Sequence, residues 1–170
     1  ALWSDQTKIG DSNYPMSPAN YDAFKRETTT LSQVEGMYSF LVNLQIPNGD
    51  SSETIQVSTV TPGMFRMLGR QASLGRGLQE GDAQSVVLSH AYWLRRFGGD
   101  RSVVGQPLLR VGGTPLTIVG VMPEDFIFPY RSMLGPSGFS RAQSADAWRL
   151  LTPATETRMV DATGQPNRTI

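Results

Sequence analysis

The stretch SVVLSHAYWLRRFGGDRSVVG, residues 85 to 105, constrains the fold more than any other part of this chain. Its apolar opening, Ser85 to Leu88, has the length and β-branched content of a short buried strand. Ser89 follows directly and predicts an N-cap, its hydroxyl accepting from a backbone N–H of the first helical turn. Ala91, Leu94 and Phe97 recur at three-residue spacing, and Trp93 stands four before Phe97. That spacing predicts one broad apolar face, with Trp93 and Phe97 turned to the core. Arg95 and Arg96 fall in the last turn, where the helix dipole favours cations. Gly98 or Gly99 can close the helix in the left-handed conformation, and Asp100 can cap one further turn, RSVV. A buried strand feeding a capped helix points to a packed α+β unit.

The same stretch holds the chain's one histidine, His90, and so the first candidate for chemistry. A histidine general base needs a nucleophile within reach and a carboxylate to orient it. Ser89 is adjacent in sequence, and neighbours on a helix point about 100° apart, which is poor geometry for proton transfer. Glu80, Asp82, Glu124 and Asp125 are the carboxylates that could approach His90, yet nothing in their spacing brings them there. One histidine and no cysteine leave only carboxylate oxygens for a metal, and no loop has the regular acidic spacing of a calcium site. These carboxylates read as a solvated loop.

LGRQASLGRG, residues 68 to 77, looks like a phosphate loop but lacks the GK[ST] ending, and its glycines miss the GxGxxG spacing. Tyr92, Trp93, Arg95 and Arg96 could stack nucleobases, but their spacing with Leu94 and Phe97 fits a core-facing aromatic pair better. Fifteen basic against fifteen acidic residues give a formal net charge of zero, which argues against a general nucleic-acid binder. No catalytic, cofactor-binding or metal residue is therefore assigned, and no cofactor is expected.

The remaining chain supplies one domain or two small subdomains in its 170 residues. Ser17 and Pro18 open an amphipathic helix predicted over 18–35, carrying Tyr21, Phe24, Leu31 and Val34 and weakened by Thr28, Thr29 and Thr30. Met37 to Ile46 and Glu53 to Val60 read as strands of an antiparallel hairpin around the turn Pro47-Asn48-Gly49-Asp50. Thr61-Pro62 opens a short helix with Phe65, Met67 and Leu68 apolar and Gly69 at its end. Residues 69 to 84 read as a loop. Pro107 to Val111 and Thr114 to Val121 predict a second hairpin around Gly112-Gly113. PEDFIFP, 123 to 129, reads as a turn with an aromatic anchor, 131 to 144 as a mobile Ser/Gly-rich stretch, and 147 to 151 as a final strand. Residues 1 to 14 and 152 to 170 carry no clear pattern. No run of 18 apolar residues is present, and the ends, ALWS and NRTI, read as cuts through a longer protein.

The order of these segments resembles one family. VSTVTPGMFRMLGRQASLGRGL (57–78), SVVLSHAYWLRRFGGDRSVVGQPLLRVGGTPLTIVGVMPEDFIFP (85–129) and ADAWRLLTP (145–153) are similar to the MacB-like periplasmic core domain of ABC-transporter permeases, seen also in FtsX-type permeases. YPMSPANYDAFKRETTTLSQVEGMYSF resembles the start of that domain, so the likeness covers roughly 13 to 153.

The resemblance implies an α+β, two-lobed extracytoplasmic domain on the periplasmic face of the bacterial inner membrane. A βαβ porter-like lobe, 1–66 with 145–170, would carry an inserted β-rich lobe of antiparallel hairpins and short helices, 67–144. The strand and helix that usually return to the first lobe are missing here, so that lobe is expected to be incomplete. It further implies a non-catalytic domain coupling cytoplasmic ATP hydrolysis to export or to movement of a periplasmic partner. The implied partners are a second permease copy, a cytoplasmic ATPase subunit or domain and a periplasmic adaptor or substrate, with flanking helices holding the membrane. Two other readings compete: a peptide- or glycan-binding module, and a hydrolase using His90.

Overall fold

Residues 4–6, 11–14, 18–45, 52–108, 115–130 and 144–152 are described in this computed structural model. The alternation read at 53–60 belongs to a nine-residue strand, β4 (Ser52–Val60), preceded by β3 (Met37–Gln45). The two pair antiparallel in unbroken register from Met37↔Val60 to Gln45↔Ser52. The predicted hairpin is thus present; its turn, 47–50, lies outside the described residues. Two short strands that the sequence pattern did not signal, β1 (Ser4–Gln6) and β2 (Asp11–Tyr14), pair with each other.

Helix α1 (Pro18–Glu27) starts on its proline but is half the predicted length. It ends at Thr28-Thr29-Thr30, where β-branched side chains restrict χ1 and weaken the helix. Leu31, read as part of its apolar face, is half exposed. The Tyr21 hydroxyl instead reaches forward to donate to the Val34 carbonyl at 3.1 Å.

The remaining elements are α2 (Met64–Met67), β5 (Leu74–Gly75), β6 (Ser85–Leu88), α3 (His90–Phe97), a 3₁₀ turn (Arg101–Val103), β7 (Pro107–Leu108), β8 (Leu116–Val121) and β9 (Ala147–Leu150). Seven strands form one mixed sheet in the order β3-β4-β9-β6-β8-β5, with β7 on β8. The fold is α+β, as read. The β7–β8 hairpin is present, and its Gly112-Gly113 turn lies outside the described residues, as do 131–143 and 153–170. Two of the pairings are parallel, β4 with β9 and β6 with β8, which local turn signals do not encode. The sheet also crosses the boundary read at residue 66, because β9 joins β4 to β6.

Alternation along the central strands gives the sheet two apolar faces. On one, Ile55, Val57, Val86, Leu88, Ile118 and Val121 pack beneath Tyr92 of α3 and Val103. On the other, Val87, Leu150 and Trp148 pack against Met64 and Phe65 of α2 and the Phe126–Phe128 turn. Trp148 is fully buried, edge-on to Phe65 (83° between planes, centroids 5.9 Å apart) and 5.3 Å from Phe126. Such ring pairs each contribute about 0.5–1.5 kcal/mol beyond the area they bury. The aromatic anchor read in 123–129 is therefore the lid of this second face.

Around α3 the predicted punctuation is present. Ser89 Oγ accepts from the Tyr92 N–H at 3.1 Å, Gly98 closes the helix at φ +60°, and Asp100 caps the 3₁₀ turn through the Ser102 N–H. The buried face is different from the one predicted. Tyr92 is the residue fully buried, Trp93 and Phe97 only flank the core, and Leu94 is 47% exposed. The helix is two turns long and packs by its middle, so one deep residue sets its seat. Met67 of α2, read as one of its apolar residues, is exposed.

Candidate functional site

Helix α3 starts immediately after β6 and lies over β4, which brings its last-turn arginines to two carboxylates distant in sequence. Arg95 Nη2 meets Asp146 Oδ1 at 2.9 Å and Glu53 Oε1 at 3.9 Å, and Arg96 Nε meets Glu53 Oε2 at 3.7 Å. Beneath them the Tyr92 hydroxyl bonds Glu53 Oε2 at 3.3 Å, and the Arg95 guanidinium lies 5.1 Å from the Tyr92 ring centroid. Burial, reinforced by the Glu53 charge, pushes the Tyr92 phenol well above its ordinary range. The hydrogen bond to Asp146 raises the Arg95 pKa further above its already high value, so this guanidinium stays charged.

Asp146 is the hub. Its Oδ2 accepts the Gln56 N–H at 2.9 Å, its own N–H donates to the Gln56 carbonyl, and its carbonyl accepts the Ser89 N–H, both at 2.8 Å. One residue thus ties β4, the N-cap of α3 and the start of β9. Neither Asp146 nor Glu53 stands out in the sequence. Their partners are 51 and 42–43 positions away, and no local motif signals so distant a pairing.

The histidine is not part of this cluster. His90 is half-buried at the start of α3 with its ring 5.4 Å from that of Trp93. Asp82, one of the four carboxylates considered for it, is gripped by both Arg76 Nη atoms and accepts from the Gln79 N–H and Ser85 Oγ. The Arg76 hydrogen bonds hold its carboxyl below the usual range. Asp125 pairs with Arg70 at 2.8 Å, while Glu80 and Glu124 are exposed. The two arginines of the LGRQASLGRG stretch are therefore bound to carboxylates rather than cradling an anion. Tyr92 is buried and unable to stack on a base, and Trp93 Nε1 donates to the Asp100 carbonyl at 2.7 Å. Among the described residues no group of three metal-ligating side chains converges, and no helix is long and apolar enough to cross a membrane. The arrangement is an ion-paired clamp between elements.

The model of the MacB-like periplasmic core domain family matches residues 2–165. Over 78 residues, 44% of this chain, the sequence is 40% identical to the "Probable syringafactin export ATP-binding/permease protein SyfD" of Pseudomonas syringae pv. syringae (strain B728a). That match spans 12% of the relative's length. Among solved structures, the periplasmic region of MacB from Actinobacillus actinomycetemcomitans aligns with a TM-score of 0.61 at 16% identity, covering 96% of this chain and 67% of that one. The extracellular domain of the noncanonic ABC-type transporter YknZ from Gram-positive bacteria aligns at 0.59 and 13% identity, covering 86% and 68%. At such identities these two share the fold.

Proposed function

Because this chain belongs to the family of MacB-like periplasmic core domains, we propose that it is the non-catalytic outer domain of an ABC-type permease. In that role it couples ATP hydrolysis on the cytoplasmic side to export, or to movement of a periplasmic partner. The family match across residues 2–165 carries this reading. The stretch shared with a protein named as an export ATP-binding/permease protein supports it. So does the state of the arginines considered for anion or base contacts: Arg70, Arg76, Arg95 and Arg96 each pair with a carboxylate, as in a scaffold.

The physical task is a two-state rearrangement driven from outside the domain, to which ATP contributes only through differential contacts in the two states. The working protein holds two permease copies, an ATPase subunit or domain, membrane helices flanking this chain and a periplasmic adaptor or substrate. The division into 1–66 with 145–170 and 67–144 belongs to the same proposal.

The test uses Arg101, an exposed residue beside α3, replaced by cysteine and spin-labelled in the full-length protein in nanodiscs. The distance between the two Arg101 positions, read by pulsed electron resonance, should differ between ATP-bound and nucleotide-free states. One unchanged distance, or no distance between copies, overturns the coupling role. A hydrolytic activity that vanishes in His90→Ala with folding intact overturns the non-catalytic one.

A further inference from the structure

Among the described residues, one four-residue strand joins the two parts of the sheet. β3 and β4 reach β6, β8, β7 and β5 only through β9. The β9–β6 seam has three register pairs, Val86↔Arg149, Val87↔Trp148 and Leu88↔Ala147. Helix α3 continues directly from β6 and belongs to that side, whereas Glu53 sits on β4 and Asp146 precedes β9. Every ion pair of the clamp therefore spans the seam, as does the Tyr92–Glu53 hydrogen bond.

Both faces of the seam are apolar at depth, but only the α3 face carries ion pairs above that apolar layer. On the α3 face its closing groups reach water: the Arg95 side chain is 53% exposed, Arg96 28%, Glu53 27% and Asp146 19%. Water can replace the partners of these four groups on separation, so none of them is left as a deeply buried unpaired charge; Arg149, the register partner of Val86, is itself buried and belongs to β9. On the opposite face Trp148 is dry and held by Phe65 and Phe126, an apolar contact that tolerates rotation but resists separation.

We propose that Arg95 and Arg96 with Glu53 and Asp146 form an electrostatic latch across the β9–β6 seam. Its opening lets α3 and the β6 side swing about the Trp148 cluster. The latch is closed in this structure, and it rests on the reading of the chain as a movement-transmitting outer domain.

Hydrogen exchange in the full-length protein, without nucleotide, tests it directly. In Arg95→Gln/Arg96→Gln, and separately in Asp146→Asn, the amides of Gln56, Ser89 and β9 should exchange about five-fold faster, while those of 64–68 and 116–121 keep their protection. Raising salt should speed the same seam amides in the unmodified protein and not in the arginine variant, a readout that survives even if a variant folds poorly. Equal acceleration everywhere, or a seam indifferent to both substitution and salt, overturns the latch. If the seam responds but the Arg101 distance ignores nucleotide, the latch stands and the transport reading falls.

Discussion

Gly120 offers the sharpest test of how this sheet is packed. It lies in β8 opposite Gly75 of β5. A Cβ placed on it would stand 2.2 Å from the Arg76 carbonyl oxygen and 2.9 Å from that of Leu74. Both are backbone atoms, so no rotamer change relieves the clash. Ordinary contact begins at 3.4 Å, and residues 74–76 must retreat by about 1.2 Å. That retreat breaks the Arg76 N–H to Val119 carbonyl bond (2.9 Å) and strains the Ser73 N–H to Val121 carbonyl bond (2.8 Å). At about 1 kcal/mol net for each bond, plus lost packing of Leu74, Gly120→Ala costs about 2–4 kcal/mol. Gly69 is the control: it has φ +65° and nothing within 4 Å of an added Cβ. Gly69→Ala therefore incurs only the left-handed backbone penalty, about 1 kcal/mol. Urea unfolding followed by tryptophan emission, with Trp148 as a buried reporter, compares them at constant m-value. Gly120→Ala should lower the midpoint at least twice as far as Gly69→Ala. Equal shifts, or a larger one at Gly69, would refute the argument that space rather than backbone conformation requires the glycine at 120.

Two further outcomes follow from the aromatic residues. The Tyr92 phenol is raised by burial, so the folded chain keeps a proton that the unfolded chain loses above about pH 10, the ordinary value. Its contribution is complete below that pH and declines as pH rises through it, so Tyr92→Phe should flatten the alkaline limb of a urea-midpoint profile; an unchanged limb contradicts the assignment. Trp148→Ala, which empties a fully buried site, should cost about 3–5 kcal/mol, against about 1–2 kcal/mol for half-buried Trp93→Ala. Thermal unfolding that ranks them the other way contradicts the packing described for the two faces.

Much of the fold is legible locally because local chemistry causes it. A serine after SVVL, two glycines after RRF and an aspartate before RSV each satisfy orphan backbone groups within three or four residues, and each does so here. The alternation read from 53 to 60 falls on a strand whose residues 55 to 60 are all buried, with Thr54 exposed at its start. The misreadings have a common cause. The spacing of Leu31 and Val34 extends the pattern of α1 through three threonines, but spacing without propensity does not hold a helix at a solvent-exposed end. In α3 three-residue periodicity pointed to Ala91, Leu94 and Phe97, yet a two-turn helix seats by a single contact. That contact is Tyr92, whose hydroxyl gains a partner from β4.

The clamp was invisible for a different reason. Arg95 and Arg96 are last-turn cations, and a helix dipole is a sufficient local account of them. What gives them a second role is the placement of β9 between β4 and β6, a parallel-plus-antiparallel insertion that carries Asp146 back from 90 residues beyond Gln56. No turn signal encodes such an insertion, because its stabilising contacts are non-local and form only once both neighbours exist. A strand held between two neighbours needs its register fixed, and a carboxylate bonded to a backbone N–H on one neighbour and a helix arginine on the other fixes it. Shifting β9 by one residue would turn Trp148 to the α3 face and leave Arg95 without Asp146, two penalties that act together.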